Sequence, residues 1–121
     1  MKKNQVLIIG GGAAGLLAAG RAAQKGAAVL VLEKNKVIGR KLRITGKGRC
    51  NVTNAGDIKQ FIQNYPGQGR FLYGAFSRFF NHDLCQLLEE QGVKLKTERG
   101  NRIFPASDSA HDVVEGLVRF A

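Results

Sequence analysis

The sequence predicts an α/β fold built on a parallel sheet, and three observations support this prediction. Two short apolar runs, at 5–9 and 28–32, have the length and composition of buried parallel strands. The segment between them, Ala13 to Lys25, is rich in Ala and Leu and is typical of a helix that ends at Gly26. A cluster of glycines separates the first run from this helix. Together the segments predict a β-α-β unit with parallel strands.

The composition limits the class of protein. A chain of 121 residues with 44% hydrophobic residues is long enough for one domain with a moderate core, and it is too apolar for a disordered tail. The net charge of +10 indicates an anionic partner, which could be phosphate, nucleic acid or a membrane surface. Two cysteines, Cys50 and Cys85, form no disulfide framework and favour a reducing, cytoplasmic compartment. His82 and His111 stand apart, so no metal site is expected.

The first residues resemble a signal peptide, with a basic start followed by an uncharged stretch over 6–20. Three consecutive glycines interrupt that stretch and would break the helix of a signal peptide, whereas a phosphate-binding turn requires them. The stretch is also shorter than the roughly 20 residues of a membrane span. We therefore expect neither a leader peptide nor a membrane partner.

The glycine cluster fits the G-x-G-x-x-G fingerprint of dinucleotide-binding sites, and its context fits as well. A strand precedes it, a helix follows it, and the second strand ends at Glu33, 21 residues beyond Gly12. This context favours a nucleotide site over the alternative, a glycine-rich turn without a ligand. The candidate ligands are Gly10, Gly12, Ala13, Ala14, Gly15 and Glu33.

Each position of the fingerprint has a chemical role. Gly10 permits the tight turn out of the strand, Gly12 lets the backbone approach a pyrophosphate, and Gly15 lets the helix pack closely on the strand. The phosphates would lie at the positive end of the helix. Glu33 can accept hydrogen bonds from both ribose hydroxyls and would repel a 2′-phosphate. The fingerprint does not decide between NAD and FAD.

Residues 34–56 form a basic, glycine-rich segment with weak periodicity, which we interpret as an ordered loop. Such a loop could cover the distal half of a larger cofactor. Glycines would allow close backbone approach, and the cations would supply charge to a phosphate or an anionic ring. The alternative is a solvated surface loop. Cys50 could be a redox thiol if Arg49 lowers its pKa, but a buried structural cysteine is favoured because no resolving cysteine is near.

The pattern after Gly56 predicts three helices. Asp57 would cap the first, which runs to about Tyr65. The second covers about 70–80 and carries an aromatic stripe of Phe71, Phe76, Phe79 and Phe80. The third begins at Asn81 or Asp83 and runs through Gln91, with Gly92 as its stop.

The last third of the chain predicts a hairpin and a helix. Residues 93–97 alternate like a half-exposed strand, Gly100-Asn101 signals a turn, and 102–104 would return. Ser109 and Asp112 resemble a capping box. The apolar face of the final helix would hold Val113, Val114, Leu117, Val118 and Phe120. No stop signal ends this helix, which suggests a fragment of a longer protein.

Two segments resemble a known family. The run from Gly39-Arg40-Lys41-Leu42 through Thr45-Gly46-Lys47-Gly48-Arg49-Cys50-Asn51-Val52-Thr53-Asn54 resembles the signature of the BaiN/RdsA-like bacterial flavoproteins, NAD(P)/FAD-dependent oxidoreductases. The segment 100–110 resembles a further family pattern, G-R-x-F-P-x-S-x-x-A. The G-R-C-N-x-T-N core is much more specific than the glycine fingerprint, and the resemblance covers nearly the whole chain.

The resemblance implies a Rossmann-like FAD/NAD(P)-binding fold of the two-dinucleotide-binding type, with residues 1–121 as the N-terminal part of its FAD-binding domain. It implies noncovalent FAD and NAD(P)H as a candidate electron donor. It also implies FAD contacts at two groups of residues. The first group comprises Gly10, Gly12, Ala14, Gly15, Glu33 and Lys34, and the second, near the flavin, comprises Arg40, Lys41, Gly48, Arg49, Cys50 and Asn51.

The leading functional hypothesis is therefore the FAD-binding portion of a flavin-dependent oxidoreductase, with no catalytic residue assigned. A second hypothesis is a flavoenzyme that reduces uridine in RNA and binds nucleic acid through its basic surface, although no RNA-recognition motif is visible. Family resemblance also supports small amines and steroid-like enones as substrates. A third hypothesis is an NAD-binding Rossmann module without flavin chemistry.

Overall fold

The computed structural model describes residues 4–121 and contains the expected β-α-β unit. Strand β1 spans Gln5–Ile9, helix α1 spans Ala13–Gln24 and strand β2 spans Ala28–Leu32. The strands are parallel, in register from Gln5 opposite Ala28 to Ile9 opposite Leu32. Helix α1 ends one residue before the predicted end, and Gly26 follows with a φ of +86°. The predicted α/β class and parallel pairing are confirmed.

The prediction that both strands are buried is wrong for one face of the sheet. Side chains alternate between half-buried and exposed along β1 and β2. Helix α1 contacts both strands and covers one face. The opposite face is exposed to solvent, and its large apolar side chains are Leu7, Ile9, Leu30 and Leu32. Continuous apolar runs are typical of parallel strands covered on both faces, and within residues 4–121 only one face of this pair is covered.

The segment 34–56 is ordered, as predicted, but it contains short helices and a strand in place of a plain loop. It contains the short helix α2 at Arg40–Ile44, a 3-10 turn at Thr45–Gly48 and the two-residue strand β3 at Thr53–Asn54. Helix α2 packs against the last helix of the chain. These elements are too short for hydrophobic periodicity to reveal them.

The first two helices after Gly56 agree only partly with expectation. Helix α3 spans Ile58–Asn64, and Asp57 caps it in a reciprocal capping box with Gln60, as the sequence predicts. The predicted helix over 70–80 is divided into a 3-10 turn at Gly69–Leu72 and helix α4 at Tyr73–Arg78.

The aromatic stripe of that region is also divided. The rings of Phe76 and Phe80 pack edge-on against Phe61, with centroids 5.6 and 4.7 Å away. Phe71 is 87% exposed, and Phe79 is exposed as well. The change from 3-10 to α-helical twist places Phe71 on a different face from Phe76.

Helix α5 spans Asn81–Glu90, and Gly92 follows with a φ of +83°. Both predicted start residues take part in the helix start. Asn81 is the first residue of the helix, and Asp83 accepts a hydrogen bond from the Phe80 N–H at 2.7 Å. Strand β4 spans Leu95–Glu98 and begins two residues later than predicted. The delay arises because the Val93 N–H still bonds to the Leu88 carbonyl at the helix end.

A turn at Gly100-Asn101 connects β4 to strand β5 at Arg102–Pro105, which confirms the hairpin. Strand β3 pairs with the other side of β5, so this antiparallel sheet has the order β3-β5-β4. Helix α6 spans Ala110–Phe120 and buries Val113, Val114 and Leu117 as predicted, while Val118 is exposed.

The predicted capping box at Ser109 and Asp112 is absent. The Asp112 N–H bonds to the Ser109 carbonyl at 3.2 Å, and the Ser109 side chain forms no capping bond. Buried residues of α1, α5 and α6 together with Cys50 and Val93 form the core. Within residues 4–121, no helix has the length and apolar character that a membrane crossing requires.

Candidate cofactor site

The glycine turn lies between the carboxyl end of β1 and the amino end of α1. Gly10 has a φ of +106°, and its N–H donates to the Leu32 carbonyl at 2.7 Å. A Cβ on Gly15 would overlap the Gly10 carbonyl oxygen, so the close approach of helix and strand requires glycine there. Both positions therefore serve the geometry of the turn itself.

Gly12 is different, because the space beside it is open. Apart from Gly12 and its two chain neighbours, no atom of the described residues lies within 4 Å of where its Cβ would be, and its φ of −92° is available to any residue. Gly12 is the N-cap of α1, and no side chain caps the helix there. The exposed residues Ala13 and Ala14 form the first turn, whose N–H groups have no partners within the helix. This backbone surface can receive an anion at the positive end of a helix.

The Glu33 carboxylate is fixed beside this turn. Its Oε2 atom accepts the Gly11 N–H at 2.8 Å, and its Oε1 atom accepts both the backbone N–H and the side-chain amide of Asn35, each at 2.9 Å. The hydrogen bonds from the Asn35 and Gly11 backbones lower the pKa of Glu33, so the group stays ionised near neutral pH. A carboxylate has about four acceptor positions, which leaves room for about one ribose hydroxyl rather than two.

The start of α2 lies against the same turn. The Gly39 N–H donates to the Gly11 carbonyl at 2.8 Å, and Arg40 donates to the Asn35 side chain at 3.3 Å. Lys34 and Lys41 are exposed. The fold therefore brings the glycine turn, Glu33 and the residues 39–40 together. Asn35 was not among the predicted site residues, although an Asn just after a strand end is a common hydrogen-bonding turn residue.

The segment 46–51 has an unusual backbone. Gly46, Lys47, Gly48 and Cys50 all have positive φ values, of 55°, 55°, 87° and 58°. Lys47 and Cys50 are not glycines, so their conformation is uncommon. Gly48 is exposed, with no atom of the described residues within 4 Å of a Cβ placed on it.

Cys50 is 2% exposed and belongs to the hydrophobic core. This burial agrees with the favoured structural interpretation, and it raises the pKa of the Cys50 thiol, which disfavours a reactive thiolate. The Cys50 N–H donates to the Thr45 carbonyl at 3.0 Å. The amide of Asn51, oriented to satisfy its neighbours, donates to the carbonyls of Thr53 at 3.0 Å and Ile103 at 3.2 Å.

Arg49 does not lower the pKa of Cys50, because its guanidinium is directed elsewhere. It pairs with the carboxylates of Glu98 and Asp108. These partners lie 49 and 59 residues away in the chain, so no local pattern indicates them. Of the two histidines, His82 has a 77% exposed side chain, and His111 Nδ1 lies 2.7 Å from Arg43 Nη1.

Known proteins resemble this chain over most of its length. The family model described as HI0933-like protein Rossmann domain matches residues 4–121. The chain is 36% identical over 92% of its length to a ribosomal RNA dihydrouridine synthase of Haemophilus influenzae, and 33% identical over 98% to that of Escherichia coli. It is 39% identical over 94% of its length to a 3-dehydro-bile acid delta(4,6)-reductase of Clostridium scindens. The chain spans only 27%, 29% and 28% of these relatives, respectively.

Proposed function

Because this chain belongs to the HI0933-like Rossmann domain family, we propose that it is the FAD-binding portion of a flavin-dependent oxidoreductase. The observation that carries the proposal is the open backbone at Gly12 beside the fixed carboxylate of Glu33. An open glycine at a helix N-terminus suits a pyrophosphate, and a carboxylate at the end of the second strand suits a ribose hydroxyl.

The residues fit FAD in two parts. The adenosine diphosphate moiety would occupy the turn 10–15, with its ribose on Glu33. The flavin half would lie near the residues 39–41 and the segment 46–51. When bound, FAD supplies hydride transfer, with NAD(P)H as a candidate electron donor. The chain itself would bind the phosphates, orient the ribose and shape the surface around the ring.

The test is an FAD titration of the purified full-length protein, followed by its visible spectrum. We expect flavin bands near roughly 370 and 450 nm. Gly12→Val should abolish FAD binding, because its side chain would fill the position of the pyrophosphate. Gly74→Val is the matched control, since Gly74 has equally open surroundings and lies in α4. A colourless protein that fails to bind FAD would overturn the proposal and favour an NAD-binding module.

A second candidate function concerns the substrate. The net charge of +10, together with two relatives named as ribosomal RNA dihydrouridine synthases, favours an RNA substrate. A relative named as a bile acid reductase favours a small molecule. RNA affinity measured against salt concentration separates the two, because each phosphate contact adds about −0.7 to the logarithmic slope for single strands. A slope near zero would exclude an RNA partner bound through its phosphates.

A further inference from the structure

Four side chains form an ion-pair network, here called the Arg49 cluster: Arg49, Lys96, Glu98 and Asp108. The Arg49 guanidinium donates to Asp108 Oδ1 from Nε at 2.9 Å and from Nη2 at 2.7 Å, and Nη2 also pairs with Glu98. Lys96 Nζ lies 2.8 Å from Asp108 Oδ2 and 3.1 Å from Glu98 Oε2. Two cations and two carboxylates cancel, so the cluster carries no net charge.

The guanidinium also lies over an aromatic ring. The Arg49 Cζ atom is 4.1 Å from the centroid of Phe104, which is 3% exposed. The same ring lies 3.4 Å from a Cβ placed on Gly46. Phe104 therefore lies under the Arg49 guanidinium and close to Gly46, at the start of the segment 46–51. The planar guanidinium of arginine can stack on the ring face, and arginine forms such contacts more often than lysine.

Residues with an unfavourable backbone lie at both ends of the cluster. Lys47 and Cys50 flank Arg49 with φ values of 55° and 58°, and Asp108 has a φ of 56°. Residues other than glycine persist in this region only where the surrounding structure holds them. The contacts of Arg49 supply such a constraint on one side, and the burial of Cys50 supplies it on the other.

We propose that Arg49 is a positioning residue, which holds Lys47 and Cys50 in their left-handed conformation and keeps Cys50 buried, without contacting the cofactor through its own charge. For the cofactor, this inference rests on the proposed function. The alternative is that Arg49 binds the cofactor directly. The two roles of Arg49 differ in what Glu98 and Asp108 do. If Arg49 is a positioning residue, the two carboxylates hold its side chain in place. If Arg49 binds the cofactor, the two carboxylates compete with the cofactor for its charge.

The first test measures how fast Cys50 is alkylated by N-ethylmaleimide, with peptide mass spectrometry as the readout. Cys85, a half-buried cysteine on α5, is the internal reference. Arg49→Gln should speed alkylation of Cys50 about tenfold or more and leave Cys85 unchanged, because the local opening becomes easier. Arg78→Gln, a change of an exposed arginine in α4, should alter neither rate.

An unchanged Cys50 rate in a folded Arg49→Gln protein would overturn the inference. Folding is checked by circular dichroism. If Arg49→Gln does not fold, Asp108→Asn removes one of the two carboxylates and is the milder variant. Asp108→Asn should also speed alkylation of Cys50, and the inference fails if it does not.

The second test is a double-mutant cycle in FAD affinity with Arg49→Gln and Glu98→Gln. A positioning role predicts that each change weakens FAD about tenfold and that the double variant is little worse than either single variant. Direct binding predicts that Glu98→Gln leaves the FAD affinity unchanged or increases it. Either result for Glu98→Gln would contradict the inference. If the wild type does not bind FAD, the proposed function fails, and the alkylation rates still decide the role of Arg49.

Discussion

Gly12 and Gly15 belong to one motif, yet the structure requires them for different reasons. A Cβ at position 15 would overlap the Gly10 carbonyl, whereas a Cβ at position 12 would meet no described atom. Gly15→Ala should therefore lower the free energy of unfolding by about 3 kcal/mol or more, since neither backbone can move away cheaply. Gly12→Ala should change stability much less. Denaturant unfolding of both variants measures the difference, and equal losses would contradict this account.

Glu33 connects the turn to the ribose position. We expect Glu33→Ala to weaken FAD and to relax discrimination against a 2′-phosphate, since the like-charge repulsion disappears. The affinities of 5′-AMP and of 2′,5′-ADP, which differ only in the 2′-phosphate, give a direct readout. The ratio between them should fall about tenfold in the variant. An unchanged ratio would show that the Glu33 carboxylate does not face the ribose.

At the scale of single elements, two helix starts make a matched pair. Asp57 caps α3 with a side-chain bond to the Gln60 N–H at 2.9 Å, whereas Ser109 makes no such bond at α6. Asp57→Ala should cost about 1 kcal/mol of stability, and Ser109→Ala should cost a few tenths of that. Thermal unfolding followed by circular dichroism distinguishes them. A larger cost at Ser109 would mean that its side chain caps α6 in solution.

The elements show what local sequence can and cannot predict. The unit β1-α1-β2, the Asp57 cap and the end of α5 at Gly92 were predictable because each depends on residues within one turn or strand. The exposure of one face of the parallel sheet within the described residues was not predictable, because continuous apolar runs are typical of parallel strands covered on both faces. The role of Arg49 was not predictable either, because its partners on β4 and before α6 meet it only after folding.

At the scale of the whole molecule, the Arg49 cluster joins the 3-10 turn, β4 and the start of α6 in one network. Hydrogen bonds from Arg49 and Lys96 lower the pKa values of Glu98 and Asp108 in the folded protein. The network therefore stabilises the fold at pH values above the ordinary carboxylate pKa of about 4, and this contribution is lost as the pH falls through the lowered values.

Unfolding free energy measured between pH 7 and pH 2 tests this linkage. The wild type should lose stability steeply below about pH 4. A Glu98→Gln/Asp108→Asn protein should begin less stable and show a shallower acid slope, because it has fewer shifted carboxylates. Parallel slopes in the two proteins would contradict a stabilising role for the network.

The uncovered face of the parallel sheet has a practical consequence for melting measurements on residues 4–121 alone. Neighbouring strands of these residues expose a continuous apolar surface in the folded state. Its side chains are between 48% and 84% exposed, and they belong to Leu7, Ile9, Leu30 and Leu32. Fluorescent dyes that report melting by binding newly exposed apolar groups would already bind the folded state and fluoresce. A dye-based melting curve of residues 4–121 would therefore have high fluorescence before heating and would resemble that of a molten globule. Far-ultraviolet circular dichroism would still detect the intact helices.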